Sequence, residues 1–245
     1  MKHLRPWIKL SGVFISLCWY LSQLLISSAI KGKDTERGFQ FRRKFCAAAL
    51  SILRINYKQE GVVQPGACLY VSNHRSMLDP LIQLGYIDAF IVSKAEVGNY
   101  PVLGRGAKET GIILVHRHDH NSRRAALDAV EEKLLSGYQV LIYPEATTHG
   151  GDLTGEFKKG AIEMAFRKGI PVVPVAIEYP GKDYYWTDGP LLAYFKRIFS
   201  SGSSHQVRGI IGFPVQCKSP DTIVEDTRAL INQMIIDARS KSLRS

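Results

Sequence analysis

From about residue 54 onward, apolar runs of strand length recur at 68–71, 90–92, 112–115, 140–143, 172–177 and 209–213, with helix-length polar stretches between them. The longer stretches carry helix punctuation: Ser122 can cap a helix over 122–135, Gly169 stops one over 158–167, and Asp221 caps one over 221–239. Strand and helix in alternation predict an α/β fold with a largely parallel sheet flanked by helices. No Pro/Gly/Ser-rich linker divides residues 54–245. Their most turn-rich segment, 180–189, carries aromatics and reads equally as a substrate entrance or a surface loop.

The N-terminal pattern is different. Residues 10–30 carry no charge, with Lys2, Arg5 and Lys9 before them and Lys31, Lys33, Arg37, Arg42, Arg43 and Lys44 after. The run is long enough to cross a bilayer once, and too long for a signal peptide. Ser11, Ser16, Ser22, Gln23, Ser27 and Ser28 dilute it, so a helix in the membrane plane or in one leaflet competes with a full span. Residues 35–53 mix basic and apolar positions, as a second helix against anionic headgroups would. The expected division is a membrane anchor over 1–53 and one domain over 54–245. The denser positive charge after the apolar run places that domain on the cytoplasmic face of the cell membrane.

Composition narrows the partners. With 45% hydrophobic and 22% charged residues, the 245-residue chain can bury a sizeable core. A net charge of +10 favours an anionic partner: nucleic acid, anionic lipid or a phosphorylated substrate. Nucleic acid is set aside, because the aromatics lie inside apolar runs and no zinc-finger, RRM-like or basic-zipper pattern occurs. Cys18, Cys46, Cys68 and Cys217 are widely spaced without a C-x-x-C pair, which fits a reducing compartment.

Candidate chemistry begins with Ser72-Asn73-His74-Arg75-Ser76-Met77-Leu78-Asp79-Pro80, directly after an apolar run. In open α/β sheets, reactive side chains collect beyond the carboxyl ends of strands. Pro80 suits the first turn of a helix and disfavours the α region for its predecessor, so Asp79 is expected as N-cap. Across a loop ending at Asp79, His74 and the carboxylate can meet. Two readings stay open for the pair: a general base oriented by an acid, or a helix cap beside a satisfied histidine. Ser76 lacks a G-x-S-x-G setting, which weakens a serine hydrolase.

A second cluster runs from Lys94 through Glu96, Pro101, Gly104 and Gly111 to Arg117, whose guanidinium at a strand end suits a phosphate. His116, His118 and His120 alternate in a polar, loop-like run with no supporting metal pattern, so no metal is expected. A third cluster, Tyr143-Pro144-Glu145-Ala146-Thr147-Thr148, ends another apolar run and is followed by Glu156-Phe157-Lys158. The fourth is Ile170-Pro171-Val172-Val173-Pro174-Val175-Ala176.

In their order and spacing the four clusters resemble the glycerophospholipid acyltransferase family, in particular the 1-acyl-glycerol-3-phosphate acyltransferases, over residues 69–176 and more loosely to the C-terminus. Asn73, His74 and Asp79 meet its N-H-x-x-x-x-D block, Gly111 and Arg117 the second, Glu145 and Thr147 the third, and Val173-Pro174-Val175 the fourth. The third block departs from the usual aromatic-Pro-Glu-Gly-Thr-Arg-Ser: Ala146 replaces the glycine and Thr148 the arginine.

The resemblance implies direct acyl transfer from acyl-CoA or acyl-ACP to the sn-2 hydroxyl of lysophosphatidate, making phosphatidic acid, with no resident cofactor. His74 and Asp79 would be catalytic, while Asn73, Lys94, Arg117, Glu145, Thr147 and Lys158 would bind substrate. The missing arginine leaves another acceptor open, such as a lyso-aminolipid (lyso-ornithine lipid) or another lysophospholipid. Outside enzymes, the alternative is a lipid-binding membrane protein without turnover.

Overall fold

The computed structural model describes residues 4–116, 119–187, 189–217 and 219–242. Strands β1 (Ile55–Glu60), β2 (Leu69–Ser72), β3 (Ala89–Lys94), β4 (Ile112–Val115), β5 (Gln139–Ile142), β6 (Val172–Glu178) and β7 (His205–Ile211) form one sheet in the order β1-β7-β6-β2-β5-β3-β4. All neighbours are parallel except β6 and β7. The expected α/β architecture is thus present, with one reversed strand near an edge.

Central strands alternate their side chains between two dry faces. Leu69, Val71, Val140, Ile142, Val172 and Ala176 pack against α5 (His120–Leu135), α6 (Gly160–Arg167) and α8 (Ile223–Ser242), through Val130, Leu134, Ile162, Ile231 and Ile235. Their neighbours Tyr70, Leu141, Val173 and Val175 meet the opposite layer, built from α2 (Thr35–Leu53) and α3 (Asp79–Gln83), with α7 (Leu191–Phe199) beyond them. Burial on both faces turns the strands into continuous apolar runs rather than alternating ones. That is why the sequence pattern found them. It did not single out β1 (INYKQE), an edge strand with only Ile55 buried, nor α4 (Pro101–Glu109) and α7.

Several expected boundaries move for local reasons. Asp119, not Ser122, caps α5 by accepting from the Asn121 and Ser122 N–H groups, while the Ser122 hydroxyl accepts from His116 N–H. Helix α6 starts after Lys158, whose own N–H is held by the Pro144 carbonyl. Asp221 lies just ahead of α8 rather than on its cap. At Gly111, before β4, φ is +82° and a Cβ would come within 2.6 Å of the Phe39 ring, so a glycine is required twice over.

The N-terminal helices pack onto the sheet domain. Helix α2 sinks Phe39, Cys46, Ala49, Leu50 and Leu53 into the core, and its Arg42 is buried rather than turned to headgroups. The Arg42 guanidinium donates to the carbonyls of Ala89, Thr110 and Ile87, stitching α2 to the strand-entry edge of the sheet. Helix α1 (Arg5–Lys31), about 40 Å long at 1.5 Å per residue, packs against α2, α4 and α7 and buries Pro6, Leu21 and Leu24. Lys9 donates to the Leu53 carbonyl at 3.2 Å near one end, and Lys33, just past the other, pairs with Glu109 at 3.0 Å. Its outer face leaves Leu4, Ile8, Phe14, Ile15, Trp19, Ile26 and Ile30 exposed. Length and composition would let α1 cross a membrane.

His205 supplies a pH test of this packing. It opens β7 buried between Phe199 and Tyr184, with Nδ1 2.8 Å from the Tyr184 hydroxyl and Nε2 without a partner among the described residues. Burial first, then the Lys9 charge, push its pKa down from 6.5 to about 4. Below 6.5 the unfolded chain therefore binds a proton that the folded chain refuses. Stability contributed here is complete above pH 6.5 and falls as pH drops toward 4. Denaturant melts of His205→Phe across that window should show a shallower acid-side decline than wild type. An unchanged slope would mean that His205 is not the group responsible.

Candidate active site

Strand β2 runs through the middle of the sheet, and the loop it launches is held by buried polar contacts. His74 Nδ1 lies 2.8 Å from Asp79 Oδ2. The same oxygen accepts the backbone N–H groups of Arg75 at 2.7 Å and Ser76 at 2.9 Å, and Oδ1 accepts the Tyr179 hydroxyl at 2.6 Å. Asp79 is fully buried. A carboxylate can only accept, so His74 presents N–H at Nδ1 and a lone pair at Nε2. Among the described residues no protein atom bonds Nε2, and the histidine side chain is 11% exposed. Burial first, then the Asp79 charge, raise the Tyr179 pKa well above its usual value, so that hydroxyl stays a donor.

The expected capping geometry differs in one respect. Asp79 is the first residue of α3, not the residue before it, and its side chain turns back to the 74–76 loop instead of bonding its own helix. Four donors compete for it there, and they outweigh a single cap.

The imidazole is fixed from the side and from behind. Its ring stacks on Tyr143 at 4.2 Å and 16°. The Tyr143 hydroxyl donates to Gln83 Oε1, Gln83 Nε2 donates to Ser72 Oγ, and that hydroxyl donates to the Asn73 carbonyl. Glu145 Oε1 accepts His74 N–H at 3.0 Å while Oε2 accepts Gly155 N–H at 3.0 Å, and the His74 carbonyl accepts His149 N–H at 2.8 Å. The β2 and β5 loops are thereby clamped together.

Several residues expected to bind substrate make hydrogen bonds within the protein or stand apart from the His74 network. The Asn73 amide is buried and exchanges two hydrogen bonds with the Ile177 backbone at 2.9 and 2.8 Å, tying the end of β2 to β6. Glu145 likewise spends both oxygens on backbone N–H groups. Thr147 is exposed and Thr148 buried. Lys94 ends β3 at the same sheet edge as His74, two strands away, and Lys158 is exposed after the β5 loop; neither side chain meets the network. Arg117 and His118 lie outside the described residues.

Sequence reasoning missed Arg75. Fully buried, it sends Nη1 to the carbonyls of His149, Gly151 and Leu153 and Nη2 to that of Asp152, with its guanidinium 5.0 Å from the Tyr185 ring. An arginine beside His74 invites a substrate role; here it moulds the 149–153 loop. Ser76 is also committed: its hydroxyl pairs with Tyr194 and accepts Leu78 N–H. That leaves no free serine nucleophile in this loop. Met77 and Leu153 are exposed on the loop and on its Arg75-bound neighbour, giving the site apolar flanks.

Comparison with known proteins agrees with this geometry. A family model described as Acyltransferase matches residues 54–178, just over half of the chain. The chloroplastic 1-acyl-sn-glycerol-3-phosphate acyltransferase BAT2 of Brassica napus is 38% identical over 117 residues, 47% of this chain and 34% of its own. The 1-acyl-sn-glycerol-3-phosphate acyltransferase of Helicobacter pylori is 32% identical over 138 residues, 55% of this chain and 58% of its own. A lyso-ornithine lipid O-acyltransferase of Rhodobacter capsulatus is 26% identical over 166 residues, covering 63% and 60%. The chain therefore spans 34 to 60% of the lengths of these relatives. The crystal structure of PlsC, the 1-acyl-sn-glycerophosphate acyltransferase from Thermotoga maritima, shares the fold with a TM-score of 0.75 at 20% identity, over 98% of both chains.

Two substitutions test the site. In Asp79→Asn the amide offers one oxygen to four donors and turns its NH2 toward another, so turnover should fall about 10²–10⁴-fold and stability by about 1–3 kcal/mol. Steady-state rates and urea melts read both, and a rate near wild type would remove Asp79 from the mechanism. Ala146 sits at φ +59°, where the resemblance places glycine. The left-handed strain exceeds the entropic cost of glycine, so Ala146→Gly should gain about 0.5–1 kcal/mol in the same melts. No gain would show that this turn is unstrained.

Proposed function

The chain belongs to the acyltransferase family, and from that premise we propose that it transfers a fatty acyl group from acyl-CoA or acyl-ACP to the sn-2 hydroxyl of 1-acyl-glycerol-3-phosphate. The observation that carries this reading is the free Nε2 of His74, with Nδ1 held by a buried and fully bonded Asp79.

In the proposed reaction Nε2 takes the acceptor hydroxyl proton as its oxygen attacks the thioester carbonyl. The tetrahedral centre then expels the thiolate, which recovers the proton from the imidazolium. The products are an ester and a free thiol, and no acyl-enzyme forms. Asp79 stabilises the transient imidazolium without taking the proton. The apolar flank at Met77 and Leu153 suits an acyl chain. Helix α1 would lie in the membrane plane on the cytoplasmic face, since a helix docked along its length to the domain presents its outer face to lipid.

A second acceptor class has specific support. Thr148 stands where the resemblance places arginine, and one relative is named as a lyso-ornithine lipid O-acyltransferase. Thr148 is buried, so an arginine there would need the loop to open.

The test is to incubate the purified full chain with labelled oleoyl-CoA and lysophosphatidate, then resolve the lipids. Labelled phosphatidic acid should form with wild type and fall to background with His74→Ala. Formation at an undiminished rate by His74→Ala would contradict the mechanism. Comparing kcat/KM for lysophosphatidate and lyso-ornithine lipid decides the acceptor: with a phosphate acceptor, Arg117→Ala should raise KM selectively for lysophosphatidate. Preference of wild type for the phosphate-free lipid would establish the second class.

A further inference from the structure

Helix α7 differs from the other helices in what surrounds its charges. Tyr194, Ile198 and Phe199 bury one side, while Leu191 and Leu192 are each 40% exposed ahead of the exposed Lys196 and Arg197. Residues 189–204 contain no Asp or Glu, and neither does α1. Among the described residues, Arg5, Lys9, Lys196 and Arg197 form no ion pair with a carboxylate. The two helices are continuous in space: Lys196 Nζ lies 5.0 Å over the Trp7 ring and Lys9 Nζ 5.1 Å over the Phe199 ring. Leu4, Trp7 and Ile8 are exposed beside them.

We propose that α7 and the first turns of α1 form one docking surface for an anionic bilayer. Leu191 and Leu192 enter the headgroup boundary beside Trp7 and Ile8, and Lys196 and Arg197 take anionic headgroups. Apolar side chains among cations that pair with no described carboxylate are what an interfacial lipid surface recognises, and the outer face of α1 extends it. An acidic carrier protein would match the charges but not the exposed leucines. The surface also reaches the catalytic loop: the Tyr194 hydroxyl of α7 pairs with Ser76 Oγ, Arg197 donates to the Tyr185 carbonyl, and Trp186 N–H donates to the Arg75 carbonyl. Docking α7 therefore fixes the site relative to the lipid plane. The inference extends the membrane-lipid reading above, and it is tested by binding without turnover, so failure of one is distinguishable from failure of the other.

The full chain is labelled with an environment-sensitive fluorophore at Leu192→Cys, or at Arg124→Cys on the opposite layer, and mixed with vesicles of equal parts phosphatidylcholine and phosphatidylglycerol. The label at 192 should shift to the blue and be quenched by lipids brominated in their acyl chains, while the label at 124 should not respond. The double variant Lys196→Gln/Arg197→Gln should bind these vesicles about tenfold or more weakly, and lose less on pure phosphatidylcholine. An unresponsive label at 192, or unchanged partition of the double variant, would overturn the proposal. So would loss of acyl carrier protein binding by that variant with vesicle binding intact, which would assign the cations to a protein partner.

Discussion

A buried carboxylate must be surrounded by donors, and the Asp79 carboxylate organises this molecule around that requirement. Its donors come from two places in the chain: the imidazole of His74 with the N–H groups of Arg75 and Ser76 in one loop, and the hydroxyl of Tyr179 just past β6. Satisfying them bends the 74–79 loop into one shape and sets both the orientation and the tautomer of the histidine. The same arrangement that avoids an unpaired charge leaves Nε2 without a bond to any described residue.

The rest of the fold supports that loop rather than adding separate chemistry. Asn73 locks the end of β2 to β6, Glu145 ties His74 to the β5 loop, and Arg75 gathers the carbonyls of 149–153 beneath the Tyr185 ring. Tyr185 in turn donates to Glu178, which Arg239 of α8 pairs at 3.3 Å. Thr154 is held through Asn232 of the same helix. The C-terminal helix thus buttresses the loops around His74 from outside residues 54–178, the stretch that matches the family model. On the opposite side, Arg42 connects α2 to the sheet, and Tyr194 connects α7 to Ser76.

His74 and Asp79 were legible in the sequence because they lie five residues apart at the end of an apolar run, so strand, loop and pair can be read locally. Tyr179 is 100 residues from Asp79, and Asn73 is 104 from Ile177, so no local pattern joins them. Arg75 and Asn73 lay inside the recognised cluster, but residue type alone does not separate an arginine gripping carbonyls from one awaiting a phosphate. The strands were readable through double-sided burial, whereas β1 at the edge and the short helices α4 and α7 lacked that signal. The boundary drawn at residue 53 followed charge and hydropathy. Those signals do not show that Phe39 and Cys46 of α2 are buried against the sheet domain.

The central claim, that Asp79 fixes His74 as an Nδ1–H imidazole with an available Nε2, is most directly measured by nitrogen-15 NMR of the histidine ring. The account predicts, for neutral His74, a protonated Nδ1 with a strongly downfield proton and an unprotonated Nε2, a pattern lost in Asp79→Ala. A neutral His74 carrying its proton on Nε2 would contradict it.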